Sequence, residues 1–276
     1  MPVLAHSWKL LGGGVVALAL SSMLLTGQNS KTAISVAFVG NSLTFVNDLP
    51  RVVETMSEGQ IAKQDSCLHG RLTVTELLET GNGMYYFWAD DDSDRSDNDG
   101  FPDFGACSVP QLLLGYDEGI ADDNFEDYYT IDGLNPCFED PDYLEYATAT
   151  RSPENDESSN KDSASRWDYV VINDQSMHPA VYYDRMESAS TLLTVYVPML
   201  NASNSIPILY QTWGYWREDI DMTGFVDVPT FTTRLREGYE YYSAILTEAL
   251  PRHLTPRIAP VGSAFLVVWE KDTSTI

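Results

Sequence analysis

The stretch VAFVGNSLTFVNDLP, residues 36–50, carries an apolar run with strand character directly into a Gly40-Asn41-Ser42 turn and the start of a helix. A serine hydroxyl is a weak nucleophile until a neighbouring base takes its proton, and the oxyanion it creates on a carbonyl needs N–H donors around it. Just ahead of a helix, Ser42 has unpaired backbone N–H groups and the positive end of the helix dipole beside it. Asn and Ser are also ordinary turn and cap residues, so the turn acquires chemical meaning only with partners. Three other polar stretches offer them: Cys67-Leu68-His69-Gly70, NDQSMHP from Asn173, and QTWGYW from Gln211. Of the four histidines, His6 lies near the N-terminus and His253, in LPRHLTPR, reads as a surface turn residue. His69 and His178 remain. His178 could act as a base with Asp174 or Asp184 orienting it, or simply face solvent beside Pro179. Trp213, Tyr215 and Trp216 present aromatic faces that suit sugar rings or acyl chains, a use that competes with packing under a long loop.

The surrounding pattern says what must position these groups. Residues 33–39 (AISVAFV) read as a buried strand, and Asp48-Leu49-Pro50 starts a helix through about Glu58. A second strand is expected at 61–67, then a helix in TVTELLET stopped by Gly81. WDYVVI, 167–172, reads as a central strand, followed by a helix over 183–200, a strand at 206–210, a helix over 230–249 and a last strand at 257–261. Apolar strands alternating with helices imply α/β architecture with a parallel sheet covered on both faces. Ligands of such sheets gather at the carboxyl ends of the strands, where the four polar loops named above converge. ADDDSDRSDNDGFPDFG, from Ala89, and SPENDESSNKDSAS, from Ser152, are acidic and turn-rich, and bracket an insertion over about 89–166 rather than core elements.

Composition bounds the function. With 276 residues, 43% of them hydrophobic, the chain can bury one large core. A net charge of -25 argues against nucleic acid, whose phosphates require a basic surface. Lys9 followed by the uncharged apolar run from Leu10 to Leu25 reads as a signal peptide or signal anchor over 1–30, so the domain over 31–276 is expected to be secreted or in the secretory pathway. Among Cys67, Cys107 and Cys137, a Cys107–Cys137 disulfide is expected, with three reduced thiols as the alternative. Asn201-Ala202-Ser203 fits a glycosylation acceptor. Asp97, Asp99 and Gly100 stand in register for a calcium loop, but Arg95 occupies the first ligand position and no glutamate closes it. Without C-x-x-C or H-E-x-x-H patterns, neither a metal nor another cofactor is expected.

Three segments carry a family resemblance. VAFVGNSLTFVNDLP resembles the first block of the SGNH (GDSL-like) hydrolases, in the branch whose nucleophile turn reads G-N-S. WDYVVINDQSMHP is similar to its third block, and IAPVGSAF, from Ile258, to the segment before its final block. The resemblance implies a flavodoxin-like three-layer α/β/α sandwich and hydrolysis of ester bonds, often acetyl groups on carbohydrate. It implies Ser42 as nucleophile, the Ser42 and Gly70 N–H groups as oxyanion donors, and Asn173 or Gln175 as a third donor. Beside this, Asn41, Trp213 and Trp216 are expected at the substrate. The family's G-x-N-D turn is replaced here by Asn173-Asp174-Gln175-Ser176, and its D-x-x-H block does not occur before Ile276. A chain truncated at the C-terminus, a pseudoenzyme, or a substitute base in His178 would each account for that. A serine esterase that is incomplete as given is the reading, with a non-catalytic carbohydrate-binding protein as the alternative; a third is an acidic matrix or ion-binding protein that works through its insertion.

Overall fold

Alternation within the strands sets the architecture. In Ile34–Gly40 (β1), Val36 and Phe38 face one side of the sheet while Ala37 and Val39 face the other, and all are fully buried. A strand buried on both faces needs helices on both. The computed structural model describes residues 33–46, 48–83, 106, 108–114, 167–215 and 224–271. Its sheet adds Ile61–Leu68 (β2), Tyr169–Ile172 (β3), Ile206–Tyr210 (β4) and Arg257–Ala259 (β5). All neighbours pair in parallel, in the order β2-β1-β3-β4-β5. That is the flavodoxin-like order, with its reversal point between β1 and β3.

On one face Val36, Phe38, Val171, Ile208 and Tyr210 pack with the short helix Ser42–Phe45 (α1), with Leu49–Met56 (α2) and with the last helix, Val261–Lys271 (α8). On the other face Ala37, Val39, Val170, Ile172 and Leu209 pack under Val74–Thr80 (α3), Val109–Leu114 (α4), Tyr182–Thr191 (α5), Val197–Ala202 (α6) and Val228–Ala249 (α7). The result is a three-layer α/β/α sandwich. Helix α3 starts on a reciprocal cap: Thr73 Oγ1 accepts from Glu76 N at 3.0 Å, and Glu76 Oε2 accepts from Thr73 N at 2.9 Å.

The structure differs from expectation in three places. Residues 109–114 fall inside the span read as an insertion, yet Val109, Leu112 and Leu113 are fully buried and Trp167 Nε1 donates to Leu112 O at 2.6 Å. The acidic flanks hide an apolar segment that the sheet needs as cover. The last strand stops at Ala259 because Pro260 has no N–H to extend a ladder, and Val261 already begins α8. The helix expected over 183–200 spans 182–202, widened by a π turn over Leu192–Tyr196 in which Val197 N reaches Leu192 O. The widening stands directly before Pro198, whose ring would otherwise strike the carbonyl four residues back.

Helix α7 runs very close to the turn after β3. A β-carbon built on Gly238 would lie 2.0 Å from Pro179 O and 2.5 Å from its carbonyl carbon. Backbone cannot yield as a side-chain tip does, so Gly238→Ala is expected to lower stability by about 2–4 kcal/mol in urea denaturation. Among the described residues no helix is long and apolar enough to cross a membrane. The expected signal segment, Cys107, Cys137, Trp216 and the Asp97-Asp99-Gly100 loop lie outside the described residues.

Candidate active site

The reversal point of the sheet is where the Ser42 turn lies. Gly40 pairs with Leu68 on one side and Val39 with Ile172 on the other. Ser42 opens α1 just past the carboxyl end of β1, and Gly70 and the Asn173–Gln175 turn follow the carboxyl ends of the neighbouring strands β2 and β3.

Two buried asparagines tie these loops together. Asn41 N donates to Asn173 Oδ1 at 3.1 Å, and Asn173 Nδ2 donates to Asn41 Oδ1 at 2.9 Å and to Asp174 O at 3.1 Å. Thr44 Oγ1 also donates to Asn173 Oδ1. Asn41 Nδ2 donates to Leu72 O at 3.1 Å, and Asn41 Oδ1 caps α1 by accepting from Leu43 N at 3.2 Å. Asn41, expected at the substrate, is 2% exposed, and its N–H, Nδ2 and Oδ1 each bond within the protein, so it holds the turn. Asn173, expected as an oxyanion donor, has both amide hydrogens committed inside the protein. Of the two residues weighed for the third donor, Gln175 is the one with an amide to spare: its Oε1 accepts from Met177 N at 2.8 Å, while its Nε2 has no partner among the described residues.

Ser42 is half-buried, and neither its hydroxyl nor its N–H is engaged with another described residue; the Gly70 N–H is likewise unengaged. After Gly70 the chain turns through Arg71 in the left-handed region, φ 71°, before entering α3. His69 lies next to Asn41 in the extended register. Its Nδ1 stands 3.1 Å from Gly70 O, which can only accept, so Nδ1 carries the proton. The His69 ring packs over Gly83, whose added β-carbon would meet it at 2.2 Å. His253 bonds Asn204 Oδ1 through Nε2 at 2.9 Å in an exposed turn before β5, at the amino end of the sheet.

Asp174 is the buried charge centre of this edge. Its Oδ1 accepts from Gln175 N at 2.8 Å and Val74 N at 3.2 Å, its Oδ2 from Tyr242 OH at 2.9 Å, and its own N–H donates to Tyr239 OH at 3.2 Å. Burial raises the carboxyl pKa, and the Ser188 hydroxyl, the His178 imidazole, the Gln175 N–H and the Tyr242 hydroxyl pull it partly back. Burial and the adjoining Asp174 raise the pKa of both tyrosines. Asp174 therefore holds its proton more tightly in the native state than in the unfolded chain. Between the unfolded value near 3.8 and the raised native value, the native state binds more protons, so this group's contribution to stability falls as pH rises. Wild type is accordingly expected to gain stability relative to Asp174→Asn as pH is lowered from about 8 to about 4, read from urea denaturation at each pH.

His178 sits on the turn that returns over Gln175, its N–H donating to Gln175 O at 3.0 Å. Its Nδ1 lies 3.4 Å from Ser188 Oγ on α5. Asp184, weighed beside Asp174 as its orienting acid, makes no bond to it. Sequence reasoning missed Ser188, Tyr239 and Tyr242, and no local signal marks them. Trp213 leaves β4 at this edge with one face stacked on Phe265, centroids 4.4 Å apart at 17°. Trp213, Gly214, Thr232, Phe265 and Trp269 line a shallow groove there.

No family model matches the chain, and no curated protein matches it. A solved structure from Slackia heliotrinireducens, provisionally assigned as an SGNH hydrolase, is similar at 16% identity and a TM-score of 0.45, covering 86% of this chain and 83% of that one. At that level the likeness carries no argument about chemistry, and the α/β class rests on the parallel sheet itself.

Proposed function

We propose that this chain is a serine ester hydrolase of SGNH type, with O-acetylated carbohydrate as its substrate class. The observation that carries the reading is the Ser42 hydroxyl at the sheet's reversal point, unengaged among the described residues, as are its own backbone N–H and that of Gly70, which follows the end of the neighbouring strand β2. In the proposed reaction Ser42 Oγ attacks the ester carbonyl while His178 Nε2 takes its proton. The oxyanion is held by Ser42 N–H, Gly70 N–H and Gln175 Nε2. Collapse breaks the ester C–O bond, and His178 returns the proton to the departing alcohol. Water, deprotonated by His178, then releases the acid and restores Ser42.

The Trp213 ring, half-buried in the lining of the groove, supports a sugar-facing role for that residue. The apolar run from Leu10 to Leu25 supports export of the chain. Hydrolysis of p-nitrophenyl acetate and of acetylated oligosaccharides tests the reading. Acetate release that His178→Ala lowers by at least about a hundred-fold supports it. Binding of the oligosaccharide with no release of acetate would favour the carbohydrate-binding alternative.

A further inference from the structure

We infer that Arg185 is a positioning residue that fastens the turn carrying Gln175 and His178 to helix α7: its guanidinium holds Pro179 O while Tyr182 and Tyr241 hold the guanidinium. The consequence for turnover rests on the reading of His178 as base and Gln175 as oxyanion donor. The turn itself is local backbone. His178 N donates to Gln175 O at 3.0 Å, Ala180 N and Val181 N donate to Met177 O at 2.9 and 3.1 Å, and Arg185 N donates to Val181 O at 2.9 Å. Gln175 is thereby tied, bond by bond, to the first turn of α5. Pro179 O is the acceptor left over. Pro179 is buried, and Gly238 of α7 comes so near that an added β-carbon would stand 2.0 Å from this oxygen. A carbonyl shielded in that way needs a donor inside the protein. Among the described residues that donor is Arg185 Nη1, at 3.4 Å.

One bond of that length would not fix a long side chain by itself. The aromatic surroundings place the guanidinium. Its central carbon lies 5.8 Å from the ring centroid of Tyr182 on α5 and 5.5 Å from that of Tyr241 on α7, both inside the roughly 6 Å over which a ring face attracts a cation. The chain has 41 acidic residues, yet no carboxylate pairs with Arg185 among the described residues. A carboxylate there would compete for the guanidinium and draw it off the carbonyl. The turn is therefore attached to α7 twice, at Gly238 and through Arg185 and Tyr241. Both attachments limit how far His178 and the Gln175 amide can move.

Residue-by-residue amide hydrogen exchange on the whole chain tests the clamp, with ester kinetics beside it. Arg185→Met keeps most of the stem and removes the donor and the charge. It is expected to speed exchange at His178, Ala180 and Val181 at least about ten-fold while the β3 amides stay within about three-fold of wild type. On p-nitrophenyl acetate it is expected to lower kcat by roughly ten- to a hundred-fold with KM unchanged. Arg185→Lys, which keeps a cation, is expected to fall between Arg185→Met and wild type in both readouts. Tyr241→Leu leaves the arginine and removes one ring face, and it carries the same comparison if Arg185→Met does not fold, with at least about three-fold faster exchange expected at the same three amides. Exchange at those amides left unmoved, or raised equally in β3, would overturn the inference. The hydrolase reading fails separately: loosened turn amides in a protein without ester turnover would keep the clamp and reject the activity.

Discussion

Ser42→Ala is expected to reduce ester hydrolysis by at least about a thousand-fold while leaving stability within about 0.5 kcal/mol of wild type. Both halves come from the same geometry. The hydroxyl is the proposed nucleophile, so nothing else can carry the acyl group, and what remains is turnover from the oxyanion donors alone. Because Ser42 Oγ is half-buried and unengaged, deleting it breaks no hydrogen bond and leaves no cavity in the core. Michaelis kinetics on p-nitrophenyl acetate and urea denaturation of the two proteins check the pair of expectations. A serine with no part in the chemistry would leave turnover untouched at the same constant stability.

Gly40→Ala is expected to remove activity by another route, through the fold. A β-carbon at position 40 would lie 1.7 Å from Asn173 Oδ1, 2.7 Å from Asn173 Cγ and 3.1 Å from Thr44 Oγ1. Asn173 cannot swing aside without releasing Asn41 N, Asn41 Oδ1 and Asp174 O together, in a region where each freed group is buried. Leaving buried polar groups unpaired costs roughly 1–3 kcal/mol apiece. The substitution should therefore cost about 3 kcal/mol or more in denaturation and also displace Ser42. The contrast is diagnostic: Ser42→Ala loses chemistry at constant stability, whereas Gly40→Ala loses both.

Much of the sheet was legible because its strands are buried on both faces. AFV in β1 and YVVI in β3 are continuous apolar runs with turn residues at their ends, and the register between them puts the Ser42 turn where open sheets bind ligands. What escaped the sequence was short or decided at a distance. The four residues of α1 and the six of α4 are too few to show a helical period. In α4 the acidic neighbours also mask residues that the core needs. The π turn follows from Pro198, whose effect on the turn before it depends on the helix having to continue.

The site divides in the same way. Ser42 and Gly70 were proposed from the residues and the family resemblance, and the structure describes both at the carboxyl edge of the sheet. Choosing between Asn173 and Gln175 required knowing where each amide points, and Asn41 was misassigned for the same reason. Tyr239 and Tyr242 meet Asp174 from 65 and 68 residues away, in a helix that also carries Tyr241. Only the packing of α7 over the β3 turn, enforced at Gly238, selects that pair.

The most direct measurement of the central claim is covalent labelling of the folded protein with a fluorophosphonate probe, followed by peptide mapping. One phosphonylated residue is expected, Ser42, with labelling slowed by His178→Ala and abolished by Ser42→Ala. An unlabelled Ser42 in a protein that unfolds cooperatively, or a label on another serine that survives Ser42→Ala, would contradict it.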